Sequence, residues 1–478
     1  MTVISDRWFR WLSSGMVVAL VACASGNTGS TGSGGGPDDP FRAYDPQRAS
    51  VAGSAAQFAT IYNQMGLAAS GPPLFFVGDV AYFATRSPDT TLVIVGLSLP
   101  NKGLVFRRDQ TGGYSASYAV DLTLTAASGA VTQAHDSESV RVTAFKETSR
   151  TDESVIYRRP FRVTPGTYLL SYSVRDGNSQ RGSGQRLSIT VPPVSSSGLS
   201  TPEPVYEVTP RTRLDSIPNY LPAPRASYVF GVDDSASVYI ESYKSPKPVV
   251  LQLRTPDGKV AWQGTRDLKA QSGGLGSGLV TIPLLHGDVG VGTILATQAG
   301  SPDTVGTRIF LGFGPDLPVL SFKEMLGYLR FFRARDKLAS LYSATAENRA
   351  ARWSEFLRAT DPEPSTPQNE ALDAYFSRIR DANSLFVSDQ PRGWLSDRGM
   401  VFVTLGPPTN SYEDYGSMYM GDIAVQGEVP SRVRILVWEY QQYQARLIFY
   451  DPNDIRQWRL TRPSMSMFQS LLARMTNR

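Results

Sequence analysis

Two long stretches of the chain alternate apolar and polar residues with a period of two, the spacing of a half-buried β-strand and not of a helix. The stretches lie within residues 73–193 and 205–314, and clusters of Gly, Asp, Asn and Pro separate the alternating runs. Short strands divided by turn signals are typical of antiparallel sandwiches. The strand-like runs are 91–99, 118–125, 139–145, 168–174 and 186–191 in the first stretch and 226–231, 237–242, 249–254, 259–263, 278–282 and 307–311 in the second.

Turn residues refine this interpretation. Pro165–Tyr168, followed by Val174–Asn178 and a last strand ending at Val191, resembles the terminal hairpin of bacterial immunoglobulin-like and fibronectin type III-like sandwiches. Pro256, Asp257 and Gly258 predict a tight hairpin in the second stretch, because Gly supplies the positive φ that such a turn requires. We therefore predict two antiparallel β-sandwiches.

The period changes at Pro318. Ser321 and Glu324 form a capping box, and apolar residues follow at helical spacing. Helices predicted over about 347–359 and 366–385 precede a return to strand-like runs, which predicts a C-terminal α+β domain with a helical segment and a small antiparallel sheet. These runs are Met400–Leu405, Arg432–Tyr440 and Ala445–Tyr450.

The whole chain is thus predicted to be mostly β. A short amphipathic helix near residues 58–67 precedes the first sandwich. The predicted organisation is a signal peptide over 1–22, a Gly/Ser tether over 23–40, the N-terminal helix and first sandwich over 41–194, the second sandwich over 205–315 and the α+β domain over 319–478.

The single cysteine, Cys23, permits no internal disulfide and no cysteine-rich zinc site. Arg7 and Arg10 precede a short apolar run that ends in Leu20-Val21-Ala22-Cys23, a sequence that resembles the lipobox of bacterial lipoproteins. The resemblance implies cleavage before Cys23 and acylation of its thiol, whereas the alternative is an ordinary signal peptide that ends near a cysteine. The flexible stretch from Ala24 to Gly36 suits a tether.

These features lead us to expect an extracytoplasmic protein that is anchored to the membrane through lipid on Cys23. Ala24 stands where retention in the inner membrane commonly places Asp, so the resemblance favours the outer membrane. A nucleic-acid partner is not expected, because 47 Lys and Arg lie among 43 Asp and Glu.

No catalytic constellation, cofactor or metal ligand set is assigned. The two histidines, His135 and His286, lie in different predicted sandwiches, and no phosphate loop occurs. Three acidic pairs have the side chains for Ca²⁺ ligation, but solvated acidic turns are the commoner explanation and Ca²⁺ binding is the rarer alternative. These pairs are Glu413 with Asp414, Asp233 with Asp234 and Asp451 with Asp454.

A set of separated motifs marks the C-terminal domain. Gly393-Trp394-Leu395-Ser396-Asp397-Arg398-Gly399 leads into the run at 400–405, and further motif residues lie upstream and downstream of it. Together they resemble the GWxTD domain-containing proteins of bacterial envelopes over roughly residues 319–462. Ser396 replaces the usual Thr, and Leu357 stands where Trp is common. The supporting residues are Asp361, Pro362, Thr366, Asn369 and Glu370 upstream and Trp438 and Glu439 downstream.

The resemblance implies an extracytoplasmic module combined with other domains and carries over no particular activity. The residues themselves favour a structural role. Gly393 and Gly399 bracket a crowded turn, and Trp394 is large enough to anchor it in a core. Asp397 is suited to accept backbone N–H bonds, while Arg398 is suited to fork onto a carboxylate.

We expect Glu439 or Glu370 to provide that carboxylate and Thr366 to cap the helix that follows it. The functional alternative is a site that combines Asp397, Arg398, Glu370, Asn369 and Trp394.

The leading hypothesis is a non-enzymatic interaction or scaffold protein that binds another envelope protein through its GWxTD domain. One alternative is an enzyme that processes an envelope polymer with Asp397 or Glu370. Another is a carbohydrate-binding protein, for which exposed aromatic residues on a sandwich face would be diagnostic. The connection from Thr409 to Ser431 is rich in Tyr and Met and is either a contact surface or a disordered insertion.

Overall fold

The computed structural model describes residues 51–150, 155–194, 198–243, 247–300, 303–314, 317–366, 369–416 and 433–476. Cys23, the predicted signal peptide and the predicted tether lie outside these residues. The described chain divides into two compact units. Unit 1 comprises Ala52–Gly327 and Ser340–Phe356, and unit 2 comprises Tyr328–Ala339 and residues 357–476. Within the described ranges, no helix has both the length and the apolar character needed to cross a bilayer.

Unit 1 begins with helix α1, Val51–Gln64, which buries Phe58, Ile61 and Tyr62 as the sequence predicts. Two antiparallel sheets follow and share one hydrophobic core. Sheet A has the order β1-β2-β3-β7, and sheet B has the order β4-β5-β8-β9 with β6 also paired to β5. Their strands are β1 Ala68–Ala69, β2 Val77–Ala84, β3 Thr91–Leu99, β4 Arg107–Arg108, β5 Tyr114–Ala126, β6 Val131–Val142, β7 Val155–Val163, β8 Gly166–Asp176 and β9 Gly182–Val191.

Two further sheets form the second half of unit 1. Sheet C has the order β11-β10-β13-β17-β16, and sheet D has the order β12-β19-β18-β14-β15 with β12 parallel to β19. Gly258, at φ 82°, forms the predicted turn between β14 and β15. The strands are β10 Glu203–Thr209, β11 Asn219–Pro222, β12 Ser227–Val229, β13 Ser235–Ser242, β14 Val249–Arg254, β15 Val260–Arg266, β16 Lys269–Ala270, β17 Gly276–Pro283, β18 Gly290–Gln298 and β19 Thr304–Gly312.

Sheet A is covered on both faces. One face packs on sheet B, and the other contributes Phe83 and Ile94 to a second cluster with Tyr220 and Tyr239 of sheet C. Strand β3 is buried at all nine positions, because a strand between two layers has no solvent face.

Polar groups also cross between sheets A and C. Arg211 forks onto Glu241 of β13 at 2.8 and 2.7 Å and donates to the Ala84 carbonyl of β2 at 2.7 Å. The Arg211 and Glu241 side chains are 1% and 0% exposed. Such a pair is costly to desolvate, but removing one partner is costlier still, because it leaves an unpaired buried charge. Arg211 therefore links Glu241 of sheet C to the end of β2 in sheet A.

A second buried acidic group lies in the same region. Burial raises the pKa of the Glu203 carboxyl well above its usual value, and the charge of Asp79 together with a side-chain hydrogen bond to Asp79 raises it further. Tyr220 is buried near both carboxyls, with Arg158 nearby, and Tyr172 lies near Asp79. Glu203 is therefore held in its protonated form above the pH at which an exposed glutamate ionises.

Seven helices occur among the described residues. Besides α1 they are α2 Phe322–Tyr328, α3 Arg335–Tyr342, α4 Arg349–Thr360, α5 Glu370–Leu385, α6 Asp397–Leu405 and α7 Arg462–Thr476.

Unit 2 contains α5, α6, α7 and sheet E, an antiparallel sheet of order β20-β21-β22-β23. Its centre is Trp438 of β21, which is fully buried and contacts Phe449 and Phe386 at centroid distances of 4.7 and 5.8 Å. Helix α7 packs against β22 and buries Phe468 and Leu471. The strands are β20 Asn410–Gly416, β21 Val433–Tyr440, β22 Ala445–Asp451 and β23 Arg459–Leu460.

The predicted fold class is confirmed: the chain is mostly β, with a C-terminal helical segment and a small antiparallel sheet. The predicted strand at Met400–Leu405 is wrong, because these residues form the last part of helix α6. All five residues from Val401 to Leu405 are buried. A helix buried on every side shows no polar stripe, so its sequence reads like a buried strand.

Glu203→Gln tests the protonated state of Glu203. Because the folded pKa of Glu203 is raised, its stabilising contribution is complete below the unfolded pKa of about 4.5 and is lost as the pH rises through the folded pKa. The wild-type chain should lose up to about 1.4 kcal/mol of unfolding free energy per pH unit in that window. The glutamine side chain keeps a hydrogen-bond donor but does not titrate. The unfolding free energy of the variant should therefore lack this dependence on pH.

Thermal unfolding of both proteins across the pH range above 4.5 measures the difference. Parallel pH profiles for the wild type and the variant would contradict the protonated state of Glu203.

Candidate functional site

The Gly-Trp motif forms a tight turn that leads directly into helix α6. Gly393–Leu395 make one turn of 3₁₀ helix, and Ser396 follows as the N-cap of α6. The Ser396 hydroxyl donates to the Gly393 carbonyl at 2.7 Å and accepts from the Gly399 amide at 3.0 Å. One side chain therefore closes the turn and caps the helix, which any short hydroxyl residue at this position would allow.

Neither Gly393 nor Gly399 leaves room for a Cβ atom. A Cβ on Gly393 would lie 2.2 Å from the Ala382 carbonyl oxygen of α5. A Cβ on Gly399 would lie 2.0 Å from the Gly393 carbonyl oxygen and 2.6 Å from the Trp394 Cα. Because these neighbours are backbone atoms, the turn reaches α5 only without a side chain at Gly393, and the first turn of α6 reaches the turn only without one at Gly399.

Trp394 anchors the turn in an aromatic cluster. Its ring is 2% exposed, stacks on Tyr328 at 5.2 Å and meets the edge of Phe331 at 5.7 Å. The guanidinium of Arg330 lies 5.1 Å from the ring centroid. The Trp394 amide donates to the side chain of Asn383 on α5 at 3.3 Å. The predicted anchoring role thus corresponds to a buried ring with contacts on several sides.

Asp397 ties the start of α6 to sheet E. Its Oδ2 accepts the backbone N–H of Leu460 in β23 at 2.7 Å. The carboxylate also lies in the first turn of α6, where the helix dipole favours negative charge. This carboxylate is therefore engaged in a hydrogen bond between two elements.

Arg398 forms a buried bidentate ion pair with Asp389. The Nε and Nη2 atoms of Arg398 lie 2.8 and 2.7 Å from the two Asp389 oxygens, and the side chains are 6% and 3% exposed. Phe386 and Trp458 flank the guanidinium at 4.8 and 5.9 Å from their centroids. Asp389 also accepts the Trp458 amide at 3.4 Å.

The expectation that Glu439 or Glu370 pairs with Arg398 is therefore wrong. Residue 398 lies in the first turn of a helix, not at the start of a strand, so its side chain reaches the turn that follows α5. Glu439 instead lies opposite β20, where it accepts from Asn410 at 3.2 Å and Tyr412 at 3.3 Å. Glu370 accepts a hydrogen bond from the Thr366 hydroxyl.

The upstream motif residues assemble the other end of α5. Asn369 is the N-cap: its Oδ1 accepts from the Leu372 amide at 3.0 Å, and its Nδ2 donates to the Leu357 carbonyl at 2.9 Å. The expectation that Thr366 caps this helix is wrong, because the helix begins three residues later than that cap requires. Asp361, which precedes Pro362, accepts the Glu363 amide at 2.9 Å.

The structure does not bring the alternative five-residue site together. Asn369 and Glu370 lie at the N-terminus of α5, whereas Trp394 binds Asn383 near its C-terminus. A helix of this length places its ends about 20 Å apart. Asp397 and Arg398 belong to the distant end and are engaged by Leu460 and Asp389.

The acidic turns at Asp451 and Glu413 and the imidazole of His135 are similarly engaged. Asp451 accepts the amides of Asn453 at 3.4 Å and Arg456 at 2.5 Å, and Glu413 pairs with Arg434 at 3.2 Å. His135 lies in β6 and contacts Asp121 at 2.5 Å. Within the ranges that the structure covers, no group of three or more His, Cys, Asp or Glu side chains is arranged to hold a metal ion.

Two features of unit 2 are not predicted from the sequence: the role of Asp389 and the strand β20. Asp389 lies in a segment, Ser388-Asp389-Gln390-Pro391, whose composition signals a turn after α5. Asn410–Gly416, assigned to a long connection, forms the edge strand β20. The remainder of that connection, 417–432, lies outside the described residues.

The fold and the motif define a mostly β protein whose C-terminal α+β unit is built around a glycine-tryptophan turn. Residues 304–418 match the family model described as GWxTD domain, so the chain carries a GWxTD domain, as the motif predicts. The matched range begins at the first residue of β19 and does not include Trp438 or Glu439.

Comparisons with other proteins add little. No curated protein matches the chain. Among solved structures, a biofilm-associated protein BSP domain is 6% identical over 54% of each chain, with a TM-score of 0.16. Alpha-2-macroglobulins of E. coli and Salmonella are 11% and 12% identical over 51% of this chain and 17% of theirs, each with a TM-score of 0.18. At these scores the likeness carries no argument about this chain.

Gly399→Ala should destabilise unit 2 severely, because the new methyl group meets backbone that has no room to move. We expect a loss of at least about 2 kcal/mol in unfolding free energy, measured by denaturant titration of tryptophan fluorescence. Gly71→Ala is the matched control, since a Cβ there meets no atom within 4 Å. Equal stabilities for the two variants would show that the close approach is not required.

Proposed function

We propose that this chain is a lipid-anchored envelope protein whose GWxTD domain is a non-enzymatic interaction module. In this proposal Cys23 carries the lipid, the residues after it form the tether, and the sandwiches of unit 1 serve as spacers. The bacterial outer membrane is the proposed location, on the basis of the leader sequence alone.

One observation carries the non-enzymatic part of this proposal: the polar groups of the motif are engaged in bonds within unit 2. Ser396 closes its own turn, Asp397 holds β23, and Arg398 is buried against Asp389. A catalytic acid or base must reach a substrate proton, and these groups instead reach backbone groups of Gly393, Gly399 and Leu460 and the carboxylate of Asp389. The domain therefore acts through its outer surface and not through its motif.

The polymer-processing enzyme is less well supported. It requires Asp397 or Glu370 in a cleft, yet Asp397 accepts a backbone amide and Glu370 belongs to the opposite end of α5. Two carboxylates about 20 Å apart are too distant for the paired chemistry of glycoside hydrolysis.

The carbohydrate-binding alternative gains no support from sheet B. An open cavity of about 520 Å³ on this sheet is lined by Asp121, Thr123, Ser173, Gln185 and Arg186, with Ser171, Gly184 and the ring of Tyr172. Tyr172 is 2% exposed and offers no face for a sugar to stack on.

The interaction module is tested by cross-linked affinity purification of the full chain from envelopes. We expect defined envelope proteins to co-purify with the wild type and with Gly71→Ala and to be lost with Gly399→Ala, because only the last disrupts unit 2. An identical set of partners with Gly399→Ala would contradict the assignment to this unit. Purified chain that degrades an envelope polymer, and loses that activity in Asp397→Asn at unchanged stability, would contradict the non-enzymatic role.

The lipid anchor has a separate test. Cys23→Ala removes the only thiol in the chain and should leave the precursor unprocessed, or release mature protein into the soluble fraction. Immunoblots of fractionated cells and metabolic labelling with an alkyne fatty acid measure both effects. Wild-type chain that takes up no label, or a variant with unchanged processing and fractionation, would exclude lipidation at Cys23.

A further inference from the structure

Two arginines of unit 2 meet at the C-terminal end of helix α6. Arg333 Nη2 donates to the Thr404 carbonyl at 2.6 Å, and Arg378 Nη1, from the middle of α5, reaches the same oxygen at 3.5 Å. Arg333 Nη2 also lies 3.3 Å from the hydroxyl of Tyr443. The two guanidinium groups therefore share one acceptor and stand side by side.

The helix end neutralises only part of this charge. The C-terminus of a helix is equivalent to about half a negative charge, whereas two guanidinium groups contribute two positive charges. Among the described residues, no carboxylate oxygen lies within 4.0 Å of either guanidinium group. A net charge of about +1.5 thus remains at this point.

The surroundings make this excess charge costly. Burial lowers the pKa of the Arg378 guanidinium below its ordinary value, and the neighbouring charge of Arg333 lowers it further. The buried arginines Arg398 and Arg211, by contrast, each face a carboxylate, that of Asp389 and that of Glu241. Arg333 is exposed, so a ligand reaches the pair from solvent.

We propose that Arg333 and Arg378 form a binding site for a dianionic phosphate group. The charge of a phosphate monoester, about −1.5 to −2 at neutral pH, matches the excess at this point better than the single charge of a carboxylate. Arg333 retains Nε and Nη1, and Arg378 retains Nη2, as donors that no described residue accepts from. The Tyr443 hydroxyl supplies a further donor.

Free inorganic phosphate and a lipid headgroup that ends in a phosphate monoester share this chemistry. The second source agrees with the proposed envelope location, but the site itself stands on the two arginines and does not depend on the lipid anchor.

Isothermal titration calorimetry of the full chain with inorganic phosphate tests the site. We expect binding to the wild type, at least a tenfold weaker association constant for Arg333→Gln and for Arg378→Gln, and no change for Arg459→Gln. Arg459 is an exposed arginine of the same unit and serves as the control. Circular dichroism of each variant verifies folding, and the exposed position of Arg333 makes Arg333→Gln the safer of the two.

Titration with glycerol 3-phosphate, and with glycerol as its control, distinguishes the two sources. Tighter binding of glycerol 3-phosphate supports a headgroup ligand, and equal binding supports free phosphate. The proposal is overturned if neither phosphate binds at millimolar concentration, if Arg459→Gln weakens binding as much as Arg333→Gln, or if succinate binds as tightly as phosphate. None of these outcomes bears on the partner-binding function, which the affinity purification tests separately.

Discussion

The contact between the backbones of Gly399 and Gly393 is the constraint on which the fold of unit 2 depends. A Cβ at Gly399 would lie 2.0 Å from the Gly393 carbonyl, so the helix and the turn meet without intervening side chains. This approach lets Ser396 close the turn and places Asp397 and Arg398 where they reach β23 and Asp389. The motif therefore encodes a junction between α5, α6 and sheet E.

Both units contain a buried arginine held by a carboxylate fork. In unit 1, Arg211 is held by Glu241 of sheet C and donates to the Ala84 carbonyl of sheet A. In unit 2, Arg398 with Asp389 joins α6 to the turn after α5. Because an unpaired buried charge costs about 3–5 kcal/mol, each pair penalises any arrangement that separates its partners. Arg333 and Arg378 lack such a carboxylate among the described residues, and the ligand site proposed there rests on this difference.

Much of the fold could be predicted from the sequence, because strands with one solvent face alternate and are bounded by turn residues. Helix α6 could not be predicted, since a run buried on all sides has no period to distinguish helix from strand. Thr366 and Asn369 are both good capping residues, and only the packing of α5 selects Asn369. The partner of Arg398 depends on tertiary contacts, which local spacing does not encode.

The central claim is that the motif is a structural junction whose polar groups are engaged within the folded unit. Native-state amide hydrogen exchange tests it most directly at Gly399 and Leu460, whose N–H groups bind Ser396 and Asp397. We predict that both amides exchange as slowly as those of strand β21, because they become exposed only when unit 2 unfolds globally. Fast exchange at Gly399 and Leu460, while β21 stays protected, would contradict the claim, because it would show a motif free to open for a substrate or ligand.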